Sequence, residues 1–230
     1  HKLRVLDFRI VDSLQDLDSA LHALGYPGKS VVLKPRRTSG ARGVLIFDAK
    51  MGDQDAPIDG RGSGRGSYDR LLQQMRSVET FPQGSIAVPY VGGPVFDVDC
   101  VAVSGEATDI VPRLRQWRNP LSPASTGNRV EMNPDVIGYC RDLCRALDID
   151  GAGDFDVALD DRGQPVVFDA GVRLSGSVGG AVVAGANIPA QLVRVLTGLP
   201  RQEFDIRDGC VVRPFMRFIE ISPDRQRDYI

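Results

Sequence analysis

Asp156, Asp169 and Arg173 fall within GDFDVALDDRGQPVVFDAGVR, where the apolar runs FDVAL and PVVFDA flank a turn of Asp160, Asp161, Arg162 and Gly163. That pattern predicts a β-hairpin. Asp156 sits in its first strand and Asp169 ends the second, so two carboxylates could converge at one end, with Arg173 four residues beyond. Carboxylate oxygens beside a guanidinium are what a divalent cation and a polyphosphate require. Aspartate also terminates strands and builds turns, so the hairpin alone fits either reading. Lys34 closes the run SVVL and precedes Pro35, and the loop after it holds Thr38, Ser39, Gly40, Ala41, Arg42 and Gly43. Small residues let backbone N–H groups approach phosphate oxygens, and Lys34 would add a point charge. A glycine-bearing hairpin with an incidental lysine reads the same way, and the GxxxxGK[ST] pattern is absent.

These residues need elements to carry them. With 230 residues, 42% hydrophobic and 25% charged, the chain can bury the core of one large domain or two small ones. A net charge of −2 gives no reason to expect nucleic acid or a membrane surface as partner. No apolar run approaches the roughly 20 residues of a membrane span, and no signal-peptide pattern is present. Cys140 and Cys144 share a helical face with Val136, Leu143 and Leu147, which favours core residues over ligands. With Cys100 and Cys210 in or beside apolar runs, the cysteines suit a reduced, cytoplasmic protein.

Along the chain, residues 4–11 read as a strand and 13–25 as a helix with Ser13 as N-cap and Gly25 just past its end. SVVLKP and VLIFDA read as strands around the glycine loop. The stretch 51–67, rich in Gly, Asp, Arg and Ser, is expected to be a mobile surface loop. A helix over 68–78 and the strand SIAVPYV follow. Residues 94–117 read as a hairpin turning at Ser104 and Gly105. Asn133 and Pro134 open the cysteine helix, Asn187 opens a last helix ended by Gly198 and Pro200, and CVVRPFMRFIEI reads as a closing strand. The mixture without strict alternation predicts an α+β chain of two lobes.

The ordered series of Lys34-Pro35, glycine loop, PYVGGPVFDVD, PRLR, acidic hairpin, GVRLSGS and AGANIP resembles the ATP-grasp superfamily, most closely its carbamoyl-phosphate-synthase-like and carboxylate–amine ligase branches. The resemblance runs from about Val11 to Gly198. It implies a small lid subdomain over 1–88 and a large subdomain over 89–230, with ATP in the cleft between them and Mg²⁺ on the second. It further implies that Lys34 contacts phosphate and that Ser39, Gly40, Ala41, Arg42 and Gly43 form the loop closing over the triphosphate. Asp156 and Asp169 match the metal ligands, and Tyr90 lies at the nucleoside contact. Arg173, Arg113 and Arg115 match basic groups directed at the phosphate or acyl phosphate. The reaction implied is ligation of a small carboxylate to an amine or thiol through an acyl phosphate. The alternative is a degenerate domain that binds nucleotide or a partner protein without turnover. A separate N-terminal domain or subunit is expected as well. The chain departs from the family's Glu-x-Asn-x-Arg, reading Asp169-Ala170-Gly171-Val172-Arg173, and Pro89 and Val95 stand where glutamates are usual.

Overall fold

The computed structural model describes residues 3–37, 41–51, 58–77, 84–116 and 127–214. Its elements run β1 (Arg9–Val11), α1 (Leu14–Ala23), β2 (Val31–Pro35), β3 (Leu45–Phe47), β4 (Gly64–Gly66), α2 (Tyr68–Ser77) and β5 (Ser85–Pro89). These five strands form one sheet in the order β1-β5-β2-β3-β4. Alternation decides its two faces. Val31, Leu33, Leu45, Phe47 and Ala87 pack against Leu17, Ala20 and Leu21 of α1 and Leu71 and Met75 of α2. The intervening residues, Lys34 among them, point the other way.

The second sheet is built from β6 (Val95–Val103), β7 (Glu106–Arg115), β8 (Asn128–Val130), β9 (Gly151–Leu159), β10 (Pro165–Gly171) and β11 (Val211–Val212). Its order is β10-β9-β6-β7-β8-β11. Helix α3 (Pro134–Ala146) lies on one face, where Val136, Cys140, Leu143 and Cys144 pack on Phe96, Val98, Cys100, Phe155 and Val157. Helices α4 (Gly179–Val183) and α5 (Ile188–Leu196) cover part of the other face, joining Val101, Val111 and Val130. The caps follow the sequence signals: Ser13 accepts from the Asp16 amide, Asn133 from those of Asp135 and Val136, and Asn187 from that of Ala190. Ser104 and Gly105 both take positive φ at the β6–β7 turn, as a tight two-residue hairpin demands.

Several expectations change. Only Arg9–Val11 of the first expected strand joins the first sheet, whereas Val5 bridges to Val167 of the second. Residues 64–66 of the expected mobile loop form β4, which pairs in parallel with β3; residues 52–57 lie outside the described residues. Gly64 takes part because Ile58 backbone and side-chain atoms stand 3.1 Å from where a Cβ would be. Leu147 is the C-cap of α3 and half exposed rather than a core residue, because the helical face ends one turn earlier. The glycine-rich connection before residue 187 contains α4, and the closing strand is described only at Val211–Val212, residues 215–230 lying outside the described part.

Candidate functional site

The site is written in the second sheet as a two-residue alternation. Asp97 and Asp99 interleave with Phe96, Val98 and Cys100 on β6, and Asp154 and Asp156 interleave with Phe155 and Val157 on β9. The apolar set enters the α3 core, so the carboxylates share the opposite face. Register aligns Asp169, Asp156, Asp97 and Arg113 across β10, β9, β6 and β7, with Gly171, Asp154 and Asp99 forming the next row. Asp169 reaches this face through a β-bulge between Val167 and Asp169. Were Phe168 paired regularly, with no bulge, Asp169 would share the face of Val167 and point into the core.

Lys34 of the first sheet meets this row. Its Nζ lies 3.2 Å from Asp169 Oδ1 and donates also to the carbonyl of Phe168, the bulged residue. Arg115 bridges two carboxylates, with Nε 2.6 Å from Asp97 Oδ1 and Nη2 2.8 Å from Asp156 Oδ2. Burial works against the Arg115 charge, but Asp156 and Asp97 outweigh it and raise its pKa. Arg173 pairs with Asp154 and remains largely exposed. Burial pushes the Asp156 carboxyl up to about 7, with Arg115 opposing and Asp97 adding to the rise. Asp154 is pushed up to about 6, again chiefly by burial, against the pull of Arg173.

Arg113 is placed differently from the sequence expectation. It is 0% exposed and ion-paired with Asp99, and it donates to Ser175 Oγ at 3.0 Å and Ser177 Oγ at 2.9 Å. Its buried Nε has no partner among the described residues. Arg113 therefore cannot meet a substrate in this conformation and instead pins the 175–177 segment to the sheet.

Ala41, Arg42 and Gly43 stand at the Lys34 end of the first sheet, while Ser39 and Gly40 lie outside the described residues. Ala41 and Gly43 have positive φ, the Gly43 amide donates to the Arg61 carbonyl at 3.0 Å, and Ser63 Oγ donates to the Ala41 carbonyl. Tyr90, just past β5, donates its amide to the Ser30 carbonyl at 2.9 Å, and the Arg65 guanidinium lies over its ring at 5.3 Å.

Among the described residues no group of three or more His, Cys, Asp or Glu side chains is gathered as a metal site. Asp156 and Asp169 are nevertheless register partners on one face. Mg²⁺ keeps several waters and takes one or two carboxylates together with phosphate oxygens. This donor pair fits such an ion. Asp97, Asp99 and Asp154 were not singled out from the sequence, although the alternation on β6 and β9 was there to show them, and neither were Asp48 and Arg65.

The family described as "ATP-grasp in the biosynthetic pathway with Ter operon" matches residues 82–218, more than half of the chain. This chain belongs to that ATP-grasp family. Several solved structures share its fold. An ADP complex of N5-carboxyaminoimidazole ribonucleotide synthetase has a TM-score of 0.67 at 16% identity, covering 89% of this chain and 50% of that one. The biotin carboxylase domain of 2-oxoglutarate carboxylase from Hydrogenobacter thermophilus, complexed with MgADP, ADP and bicarbonate, gives 0.61 at 14% identity, covering 91% and 46%. L-amino acid ligase from Bacillus licheniformis gives 0.54 at 16% identity, covering 84% and 44%. The ATP-grasp chain thus spans about half the length of these structures, and identities this low speak for fold alone. Among proteins of curated function none matches it in sequence. Among the described residues no helix is long and apolar enough to cross a membrane.

Proposed function

We propose that this chain is the ATP-grasp portion of an ATP-dependent ligase that joins a carboxylate to an amine or thiol through an acyl phosphate. The observation that carries the reading is Lys34 of one sheet facing Asp169 of the other, in the row that also holds Asp156. The first lobe, residues 1–88, would act as the lid and residues 89–230 as the metal-bearing platform. Lys34 would hold the terminal phosphates, with the glycine loop that follows β2 closing over them. Asp156 and Asp169 would hold Mg²⁺, which would supply charge neutralisation for phosphoryl transfer. Arg115 and Arg173, which pair with Asp156 and Asp154 of the carboxylate face, would steady the transferred phosphoryl group. A substrate carboxylate oxygen would bond to the γ-phosphorus as ADP leaves. The amine or thiol would then attack the acyl carbon, expelling phosphate.

Gly171 in the place of an asparagine, and Arg115 already bonded to Asp156, favour a second reading in which nucleotide is bound without turnover. Hydroxylamine separates the two, because it traps acyl phosphates as hydroxamates. With the full-length protein, MgATP and a panel of small carboxylates, a hydroxamate formed with at least one acid, and lost in Asp169→Asn, is the expected result. ATP binding with no hydroxamate from any acid would favour the second reading.

A further inference from the structure

Beyond Lys34 and the carboxylate row, the first sheet carries a polar end for which phosphate chemistry has no use. On its cleft-facing side Lys34, Val32 and Ser30 alternate with the core residues Val31 and Leu33. The register places Ile86 beside Lys34, Val88 and Ile46 beside Val32, and Arg65 beside Ile46. The Tyr90 amide bonds the Ser30 carbonyl, so Tyr90 continues the β5 row past Val88. Val32 and the buried Val88 and Ile46 therefore form an apolar row on this side of the sheet, with Lys34 toward one end and Tyr90 with the Arg65 guanidinium toward the other. From Ser30 to Lys34 the strand rises about 13 Å. That is the reach of an extended nucleoside triphosphate from base to terminal phosphate.

The far end is a built donor. Arg65 Nη2 lies 2.6 Å and Nε 3.3 Å from Oδ2 of the buried Asp48, and the guanidinium covers the Tyr90 ring. Asp48 is fixed in turn by the Lys50 amide at 3.1 Å. The clamp sets the plane of the guanidinium and leaves Nη1 without a bond among the described residues. Such planes stack on bases and donate to their acceptor edges. Pro89, next to Tyr90, offers no side-chain hydrogen bond of its own.

We propose that Arg65, clamped by Asp48 and lying over the Tyr90 ring, is a specificity-determining residue that engages the purine base of the nucleotide through its Nη1. This rests on the nucleotide reading above. Lys34 grips the triphosphate and Arg65 the nucleoside, so each is sensitive to a different part of the ligand.

Calorimetric titration with two probes tests it: a non-hydrolysable ATP analogue and inorganic tripolyphosphate, both with Mg²⁺. Arg65→Ala should weaken the analogue about ten-fold and leave tripolyphosphate unchanged, whereas Lys34→Ala should weaken both. Arg65→Lys keeps a cation beside Asp48, guards against loss of fold, and should also weaken the analogue because it lacks the planar fork. Analogue affinity equal to wild type in both Arg65 variants would overturn the inference. So would an equal loss on tripolyphosphate, which would show a general electrostatic effect. A wild-type protein that bound neither probe would remove the nucleotide reading itself, a result distinct from either.

Discussion

Two aspartates on either side of Phe155 in β9, Asp154 and Asp156, show how burial and charge are balanced within the site. Burial raises both, to about 6 and about 7, whereas an ordinary unfolded aspartate titrates near 4. Between those values the folded chain holds more protons than the unfolded one, so stability falls as pH rises through that window. Thermal melts of metal-free protein in chelator should therefore give a higher melting temperature at pH 5 than at pH 7.5; the reverse order would mean that the arginines outweigh burial. Gly171 offers a complementary test. A Cβ there would meet nothing closer than 3.8 Å, from Arg173 Cγ and the Asp154 carbonyl, and its register partner is Asp154. Gly171→Asn should fold normally and tighten Mg²⁺-dependent nucleotide binding several-fold by calorimetry, since it adds an amide oxygen beside the carboxylate row. Unchanged affinity would place the metal away from this row.

At the level of elements, the strand alternation does most of the positioning, and it was only partly legible. Apolar runs, caps and turn residues placed β2, β5, the β6–β7 and β9–β10 hairpins, α1, α3 and α5 close to where they lie. The glycine strand β4 escaped because Gly64-Arg65-Gly66 has no apolar pattern and is a strand only through pairing with β3. Asp169 reaches the site through a bulge, which no local pattern announces, so its convergence with Asp156 was readable only as a possibility. Arg113 is placed apart from the expectation for a different reason: a PRLR segment looks like substrate chemistry, but the buried Asp99 and the 175–177 segment close over its guanidinium, whereas Arg115 on the same face is left at the site. Removing one partner of a buried pair leaves the other uncompensated. Arg113→Ala should cost about 3–5 kcal/mol in denaturant unfolding; a loss below about 1 kcal/mol would mean that Asp99 finds water or another donor.

The whole molecule is two sheets joined by the short crossing from Tyr90 to Pro94 and drawn together again where Lys34 meets Asp169. The crossing is tight. A Cβ on Gly93 would fall 1.6 Å from the Leu159 carbonyl oxygen, and the Leu159 amide donates to the Pro94 carbonyl at 2.9 Å. Gly93→Ala must push the crossing off the β9–β10 hairpin, at a cost of about 1–3 kcal/mol for such overpacking, and should weaken nucleotide binding by misaligning the lobes. Wild-type stability and affinity in that variant would show that the sheets are not held in fixed relation there. The central claim, that the cleft between the sheets holds a Mg²⁺-bound nucleoside triphosphate, is tested most directly by calorimetric titration of the wild-type chain with a non-hydrolysable ATP analogue, with and without Mg²⁺, beside Lys34→Ala and Asp169→Asn. Metal-dependent binding, weakened at least ten-fold in each variant, is the predicted result. Binding that ignored both the metal and these two substitutions would contradict it.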